Sequence, residues 1–324
     1  MQSQSSGPDT LVTGSAGHLG HALMLELRKH GHTPIGLDIK ASEHTTLIGS
    51  LADREFVTSI FHRYKIRYIL PTATLHKPHV GSHSKTDFIQ TNIQGTLNLL
   101  EESNPEAFIF TSTTSTFGKA LSSAVNGVAW IDETVVPIPK NIYGVTKMAA
   151  EDLCQLVHEQ RKFPVLVLKV SRFFPEQDDN MDQDIPDENL KVCELCYRRI
   201  DIEDVVTAHV AALRKAKEVG WAKFIISAPT PFRRDDDLGT DPLRTLERTR
   251  PRYVEILQRL NWRMPRLDRV YDSSKAMKVL DWTPVYTFER ALESIDRGKE
   301  WRSELSLKVG CRGYHSIPTR VYTL

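Results

Sequence analysis

The sequence predicts an α/β fold, a doubly wound parallel sheet carrying a smaller C-terminal lobe. Short apolar runs alternate with segments of helical periodicity as far as residue 226, the first run ends in a glycine-rich turn, and strand signals thin out from Pro229 onward. Continuous apolar strands separated by helices are the pattern of a parallel sheet covered on both faces.

Residues 10–14 form the first strand, ending at Gly14, and Leu19, Ala22, Leu23 and Leu27 follow at helical spacing until Gly31 stops them. Residues 33–38, 67–71 and 107–112 read as strands, with helices at 53–64 and 86–102 between them. A helix at 143–160, a strand at 164–170, a helix at 202–217 and a strand at 223–226 continue the alternation, and 250–260 and 287–301 read as later helices. The Asp- and Pro-rich run 176–188 reads as a solvated loop, and Arg244, Arg248, Arg250 and Arg252 as one exposed helical rim. The expected division is a sheet domain over 1–174, rejoined by 201–228, with 175–200 and 229–324 forming the second lobe.

Among 324 residues, 42 Lys and Arg balance 41 Asp and Glu, so the net charge of +1 offers no dense positive face to nucleic acid. A 40% hydrophobic share supports a sizeable core, yet no run approaches the ~20 apolar residues of a membrane helix. The opening MQSQSSGPDT lacks a secretory pattern, and four cysteines in so long a chain are no disulfide framework, so a soluble cytoplasmic protein is expected. Cys193 and Cys196 have metal or redox spacing, but no second pair or nearby His completes a ligand set. They read as small half-buried residues, and no metal is expected.

The first strand runs into Gly14-Ser-Ala-Gly17-His18-Leu19-Gly20, a GxxGxxG turn opening a helix. Glycine lets the backbone approach a pyrophosphate, and the helix N-terminus offers it free N–H groups and partial positive charge. Asp38 ends the second strand, 18 residues beyond Gly20. A carboxylate there accepts ribose hydroxyls and repels a 2′-phosphate, which favours NAD over NADP, with Lys40 nearby as the opposing feature.

Tyr143-Gly-Val-Thr-Lys147 opens a helix, and the four-residue offset puts phenol and ammonium on one face. A nearby ammonium and a positive nicotinamide favour the phenolate, making the pair a base and its tuner for removing an alcohol proton. The strand before it ends in hydroxyls, Thr111-Ser112-Thr113-Thr114-Ser115-Thr116, at the carboxyl edge where such sheets bind ligands.

Taken together, TLVTGSAGHLG, Asp38, TATLHKPHV, TNIQGTLNLLE, FIFTSTTSTFG, YGVTK, RRIDIEDVVTAH and DWTPVYTFERAL resemble the extended short-chain dehydrogenase/reductase superfamily, in its NAD-dependent epimerase/dehydratase group. The resemblance covers nearly the whole chain and implies a Rossmann domain with a substrate-binding lobe. It makes Thr113 the substrate-binding hydroxyl, Tyr143 the acid/base, and Lys147 the residue that binds the nicotinamide ribose and lowers the tyrosine pKa. Thr72, Ala73, Thr74 and Asn92 match cofactor-lining positions, and Ser50, Leu51 and Ser171 join the expected cofactor set. Three departures qualify it. Gly49-Ser50-Leu51 lacks a carboxylate for the adenine amine, Ser171-Arg172 stands where sugar-nucleotide members carry Asn, and Thr114-Ser115 replaces the Asp-Glu pair of dehydratases, which disfavours 4,6-dehydration.

Arg172 ends an apolar strand, where a guanidinium needs an anion. A substrate carboxylate or phosphate and an internal ion pair to Glu176 or Asp204 are the two candidates, and the short FPE stretch is similar to uronate dehydrogenases of the superfamily. His76, His79 and His83 read as a substrate-facing loop, because Pro78 interrupts any helix that would gather them around a metal. His76, Thr113, Thr114 and Arg172 are thus the expected substrate contacts. The expected activity is NAD-dependent oxidoreduction at a secondary alcohol or ketone of a small polar, anionic or sugar-like molecule. A sugar epimerase using a transient ketone and a non-catalytic dinucleotide-binding protein are the alternatives, and a homodimer is expected from the resemblance.

Overall fold

The structure, a computed structural model, describes residues 7–120, 127–173 and 185–311. Its strands are β1 (Thr10–Thr13), β2 (Pro34–Asp38), β3 (Leu47–Ile48), β4 (Tyr68–Pro71), β5 (Ala107–Thr113), β6 (Ala129–Ile131), β7 (Val165–Val170), β8 (Trp221–Ile226) and β9 (Arg269–Tyr271). Seven of them form one parallel sheet in the order β3-β2-β1-β4-β5-β7-β8, and β6 pairs with β9 in a separate two-stranded sheet. The doubly wound fold read from the sequence is therefore present, with its strand order reversing between β1 and β4.

The helices are α1 (His18–Glu26), α2 (Arg54–Arg63), α3 (Lys85–Phe88), α4 (Gly95–Glu102), α5 (Ile142–Arg161), α6 (Asp187–Glu194), α7 (Ile202–Val219), α8 (Pro242–Thr249), α9 (Pro251–Arg259), α10 (Ser274–Leu280), α11 (Phe288–Asp296) and α12 (Glu304–Val309). Local chemistry sets their ends. Asp53 caps α2 through the Phe56 amide, Asn141 caps α5 through Gly144, and Asp201 caps α7 through Glu203. Between α3 and α4 the chain winds as a π-helix over Ile89–Gln94, so the expected helix at 86–102 is one rod with a wide turn in its middle.

Apolar side chains bury on both sheet faces. Leu19 and Leu23 of α1, with Leu27 just beyond it, pack with Val205 and Ala212 of α7 on one side, and Val57, Leu99, Ala150 and Cys154 cover the other. A third cluster, built from Val192, Leu246, Leu257, Phe288 and Leu292, lies in the C-terminal elements. Cys193 and Cys196 belong to it and are fully buried, not half-buried, because the last turn of α6 faces that core. The arginine rim also differs from expectation. Arg244 and Arg248 lie on α8, Arg252 on α9, and Arg250 at the junction, where Pro251 opens a new helix as its first residue. The helix expected over 287–301 ends at Asp296, and Gly298 adopts φ +65° beyond it. Strands β3, β6 and β9 and helices α6, α10 and α12 went unread, being short. The acidic run lies outside the described residues apart from its end, where Asp187 and Glu188 open α6.

The first turn of α7 fastens the later elements. Asp201 accepts the Ser303 hydroxyl at 2.6 Å, and Asp204 accepts the Val285 and Tyr286 amides at 2.8 Å each. Burial pushes the Asp204 carboxyl up to about 7, against the pull of those amides. The folded state therefore holds this proton more tightly than the unfolded chain, and the stability contributed by that proton falls as pH rises from about 4 to about 7. Asp204→Asn should flatten this part of the pH profile. Urea midpoints of both proteins at about pH 4.5 and 7.5 check it, and parallel profiles would reject the assignment.

Candidate active site

The carboxyl ends of five strands open onto one cavity of about 510 Å³. Gly14 follows β1, Asp38 ends β2, Thr72, Ala73 and Thr74 follow β4, Thr113 ends β5, and Ser171 and Arg172 follow β7. The chain leaves β1 and β4 in opposite directions, which is what opens a crevice at the switch point.

The glycine turn is set by close approach. Gly14 has φ +72°, and a Cβ on it would lie 2.7 Å from the Ala73 nitrogen; one on Gly20 would lie 1.9 Å from the Gly14 carbonyl oxygen. Gly17 sits at the N-cap of α1 and supplies no side-chain cap, so the first turn of the helix presents amides beside His18 and Leu19 on the cavity wall. Asp38 is tied to this turn. Its Oδ2 accepts the Ala16 amide at 3.0 Å and its Oδ1 accepts that of Lys40 at 2.9 Å. Ser50 and Leu51 line the same end.

Asn92 lies in the π-wound turn and is buried behind the wall, not on it. Its Oδ1 accepts the Thr74 hydroxyl and the Leu75 amide, both at 2.9 Å, while its Nδ2 donates to the Leu75 carbonyl at 2.9 Å and to Thr146 at 3.0 Å. It latches the loop after β4 to α5, a positioning role in place of the expected cofactor contact.

At the other end, Tyr143 and Thr113 interact through their side chains and both line the cavity, with Thr114 beside them. Burial pushes the phenol up to about 12, partly offset by Thr113. Lys147 does not line the cavity. Its Nζ donates to the Thr111 carbonyl at 2.7 Å and lies 4.0 Å from the centre of the Phe110 ring, and burial lowers its pKa to about 8 despite the nearby Glu151. Burial thus pushes both the phenol and the ammonium toward their neutral forms. Behind Lys147, Glu151 takes Lys169 at 2.6 Å, Lys223 at 3.0 Å and the Ser112 hydroxyl at 2.5 Å.

His76, His79 and His83 line the mouth, their rings meeting edge to face at 4.6 and 5.0 Å. His79 Nδ1 accepts the His76 amide at 3.0 Å, which occupies one of the nitrogens a metal would need. Arg172 meets a carboxylate that the sequence reading did not name. Its Nη1 reaches Glu194 at 3.3 Å; Asp204 is committed to the two amides described above, and Glu176 lies outside the described residues. The same fully buried Glu194 accepts Arg198 Nε at 2.7 Å and Arg199 Nε at 2.8 Å. Burial opposes its ionisation, but the three guanidiniums prevail and hold the carboxyl at about 2. Among the described residues, Glu194 thus gathers three guanidiniums. Arg172, Arg198 and Arg269 all reach the cavity wall, and Asp38 is the sole acidic residue there among the described residues.

A family model described as the NAD dependent epimerase/dehydratase family matches residues 10–223. The chain belongs to that family. A curated relative, the UDP-glucose 4-epimerase of Rhizobium leguminosarum bv. trifolii, is 28% identical over 179 residues, 52% of each chain. The chain spans about half the length of the curated relatives it matches. Among solved structures it is similar in fold to UDP-glucose 4-epimerase of Thermotoga maritima, with a TM-score of 0.63, 22% identity and coverage of 88% of this chain and 96% of that one. A short-chain dehydrogenase/reductase superfamily protein of Agrobacterium tumefaciens with bound NAD gives 0.64 at 17% identity, covering 88% and 94%.

The residues present fit the dinucleotide of this family's name. The glycine turn leaves a cradle that a Cβ would fill, and Ser171 Oγ is buried on the cavity wall with no hydrogen-bond partner among the described residues. Sequence reasoning missed Arg198, Arg269 and Tyr271. Arg198 begins the RRIDIEDVVTAH segment already noted for its resemblance, whereas Arg269 and Tyr271 arrive on β9, a three-residue strand without a sequence signal. Glu194→Gln should remove the buried anion that these guanidiniums share and destabilise the fold by about 3–5 kcal/mol. Urea unfolding measures it, and a loss below about 1 kcal/mol would show that the cluster is solvated.

Proposed function

We propose that this family member is an NAD-dependent oxidoreductase acting on a secondary alcohol or ketone of a sugar-like molecule that carries a carboxylate or phosphate. The observation that carries it is the contact of Tyr143 with Thr113 on the wall of the cavity that also holds the glycine turn. In this reading Gly14, Gly17, Gly20 and the amides of His18 and Leu19 hold the pyrophosphate, Asp38 the adenosine ribose, and Ser50, Leu51, Thr72, Ala73, Thr74 and Ser171 the rest of the cofactor. NADP is disfavoured by Asp38. Bound NAD supplies the hydride acceptor and a positive ring.

Thr113 holds the substrate oxygen, and Tyr143 takes or gives its proton. A phenol at about 12 stands protonated at neutral pH and is ready to donate during ketone reduction; as a base it needs added positive charge. Lys147 contributes by moving from the Thr111 carbonyl toward the ribose. His76, Thr114 and Arg172 face the substrate, with the guanidinium cluster matching its anionic group. The proposed division gives 1–174 with 201–228 to the cofactor and 175–200 with 229–324 to the substrate.

The second reading, sugar epimerisation, is favoured by the names of the relatives and uses the same residues with the hydride returned to the opposite face. The deciding assay follows absorbance of NADH with uronates and nucleotide sugars. Net NADH supports dehydrogenation, whereas product without net NADH supports epimerisation. Tyr143→Phe should keep NAD binding and lower turnover by about 10²–10⁴-fold. Equal turnover in the variant would remove the phenol from the mechanism, and NAD binding without turnover in the parent would favour the non-catalytic dinucleotide-binding role.

Ile89, Val145 and Leu156 are large apolar residues exposed on the π-wound segment and on α5. They support pairing of this face with a second copy. Light scattering should give a dimer that Val145→Glu with Leu156→Glu converts to monomer, and a monomeric parent would end the idea. No helix among the described residues is long and apolar enough to cross a membrane, and Cys154, Cys193 and Cys196 are buried free thiols. Those thiols support a reducing, cytoplasmic setting.

A further inference from the structure

We propose that His21, Glu43 and His44 form a divalent-metal site, suited to Zn²⁺, that clips α1 to the loop following β2. His21 Nε2 lies 3.7 Å from Glu43 Oε1, and His44 Nε2 lies 3.5 Å from the same oxygen. Both are too long for good hydrogen bonds, whose usual limit is about 3.2 Å. They approach the edge of a tetrahedral centre, since bonds of ~2.0–2.1 Å set neighbouring ligands about 3.4 Å apart. One ligand atom from each of the three residues falls within 4.8 Å of the others. The two imidazoles meet edge to face with centroids 4.5 Å apart, and His44 Nε2 is buried with no hydrogen-bond partner among the described residues. An ion accepting both imidazoles and the carboxylate would satisfy that nitrogen and bring the three groups together.

The backbone that presents these ligands is already built. His21 is buried on α1, one turn beyond His18. Across from it, Ser42 Oγ accepts the His44 amide at 3.2 Å and lies 2.7 Å from Thr45 Oγ1, which in turn lies 2.9 Å from Ser15 Oγ of the glycine turn. The Thr46 amide donates to the Gly36 carbonyl at 2.9 Å, and a Cβ on Gly36 would lie 1.9 Å from the His44 carbonyl oxygen. The loop is thereby held against β2 with its imidazole turned toward α1. Two imidazoles with one carboxylate suit Zn²⁺, whereas Mg²⁺ and Ca²⁺ prefer all-oxygen sets. Glu43 is 73% exposed, which leaves water access to the remaining coordination position. None of the three ligands lines the cavity that holds Tyr143, so occupancy would leave the proton-transfer residues untouched.

The test uses the full chain stripped of metal by chelation and titrated with Zn²⁺ alone in a calorimeter, then with Co²⁺ followed by visible absorption. One equivalent of Zn²⁺, an intense four-coordinate Co²⁺ band and a raised melting temperature are expected, and the paired change His21→Gln and His44→Gln should abolish all three. X-ray absorption of the parent zinc complex, which needs no variant, should show two imidazoles with oxygen ligands. Absence of a stoichiometric equivalent, sulfur ligation, or full retention in the paired variant, which would place the ion elsewhere, overturns the proposal.

Discussion

Everything in the site depends on the parallel pairing of β1 with β4, from which the chain departs in opposite directions. Their register, Thr13 beside Pro71, places the Gly14 turn against Thr72 and Ala73 with no room for a side chain between them. Thr13 locks both sides: its carbonyl accepts the Thr72 hydroxyl at 2.5 Å, and its own hydroxyl accepts the Ala73 amide at 3.1 Å. A sheet with its order reversed elsewhere would open its crevice elsewhere, and neither Asp38 nor Tyr143 would then share a wall with the first glycine.

Buried charge is concentrated in two groups, each organised around one carboxylate. Glu151 gathers Lys169 and Lys223 behind β5 and β7, close to Lys147, and Glu194 gathers three arginines under the opposite end of the cavity. Desolvation makes every one of these ions expensive in isolation, and the shared anion offsets that penalty while holding the long side chains in place. Arginines thereby line one end of the cavity and hydroxyl side chains the other.

Local signals were legible. The GxxGxxG turn, Asp38 at a strand end and the Tyr143-to-Lys147 offset each involve residues whose geometry is set within a few positions, and the strand and helix alternation carried the sheet. What escaped was set by distance along the chain. Glu194 meets Arg172 across 22 positions through a short helix that the sequence did not signal, and β6 finds β9 from far away with three residues each. The state of Lys147 was illegible for another reason: a four-residue spacing specifies a shared helix face, but whether the ammonium turns to a phenol or to the Thr111 carbonyl depends on burial by β5. Likewise, His21 has no spacing relation to Glu43 and His44, since the strand between them brings the pair back beside α1.

The π-wound turn has a consequence for how this helix could change. A π segment carries an extra residue relative to regular α winding, and here that surplus sets the direction in which Asn92 faces. Deleting one residue would relax the rod into an ordinary helix with better hydrogen bonds, leaving the flanking turns nearly in place but redirecting the side chains inside the turn, Asn92 among them. The latch on Leu75 would open even as the helix gained stability. Mutational drift toward a sturdier rod is therefore opposed at this turn, and the irregular winding is the form in which the helix serves the cavity.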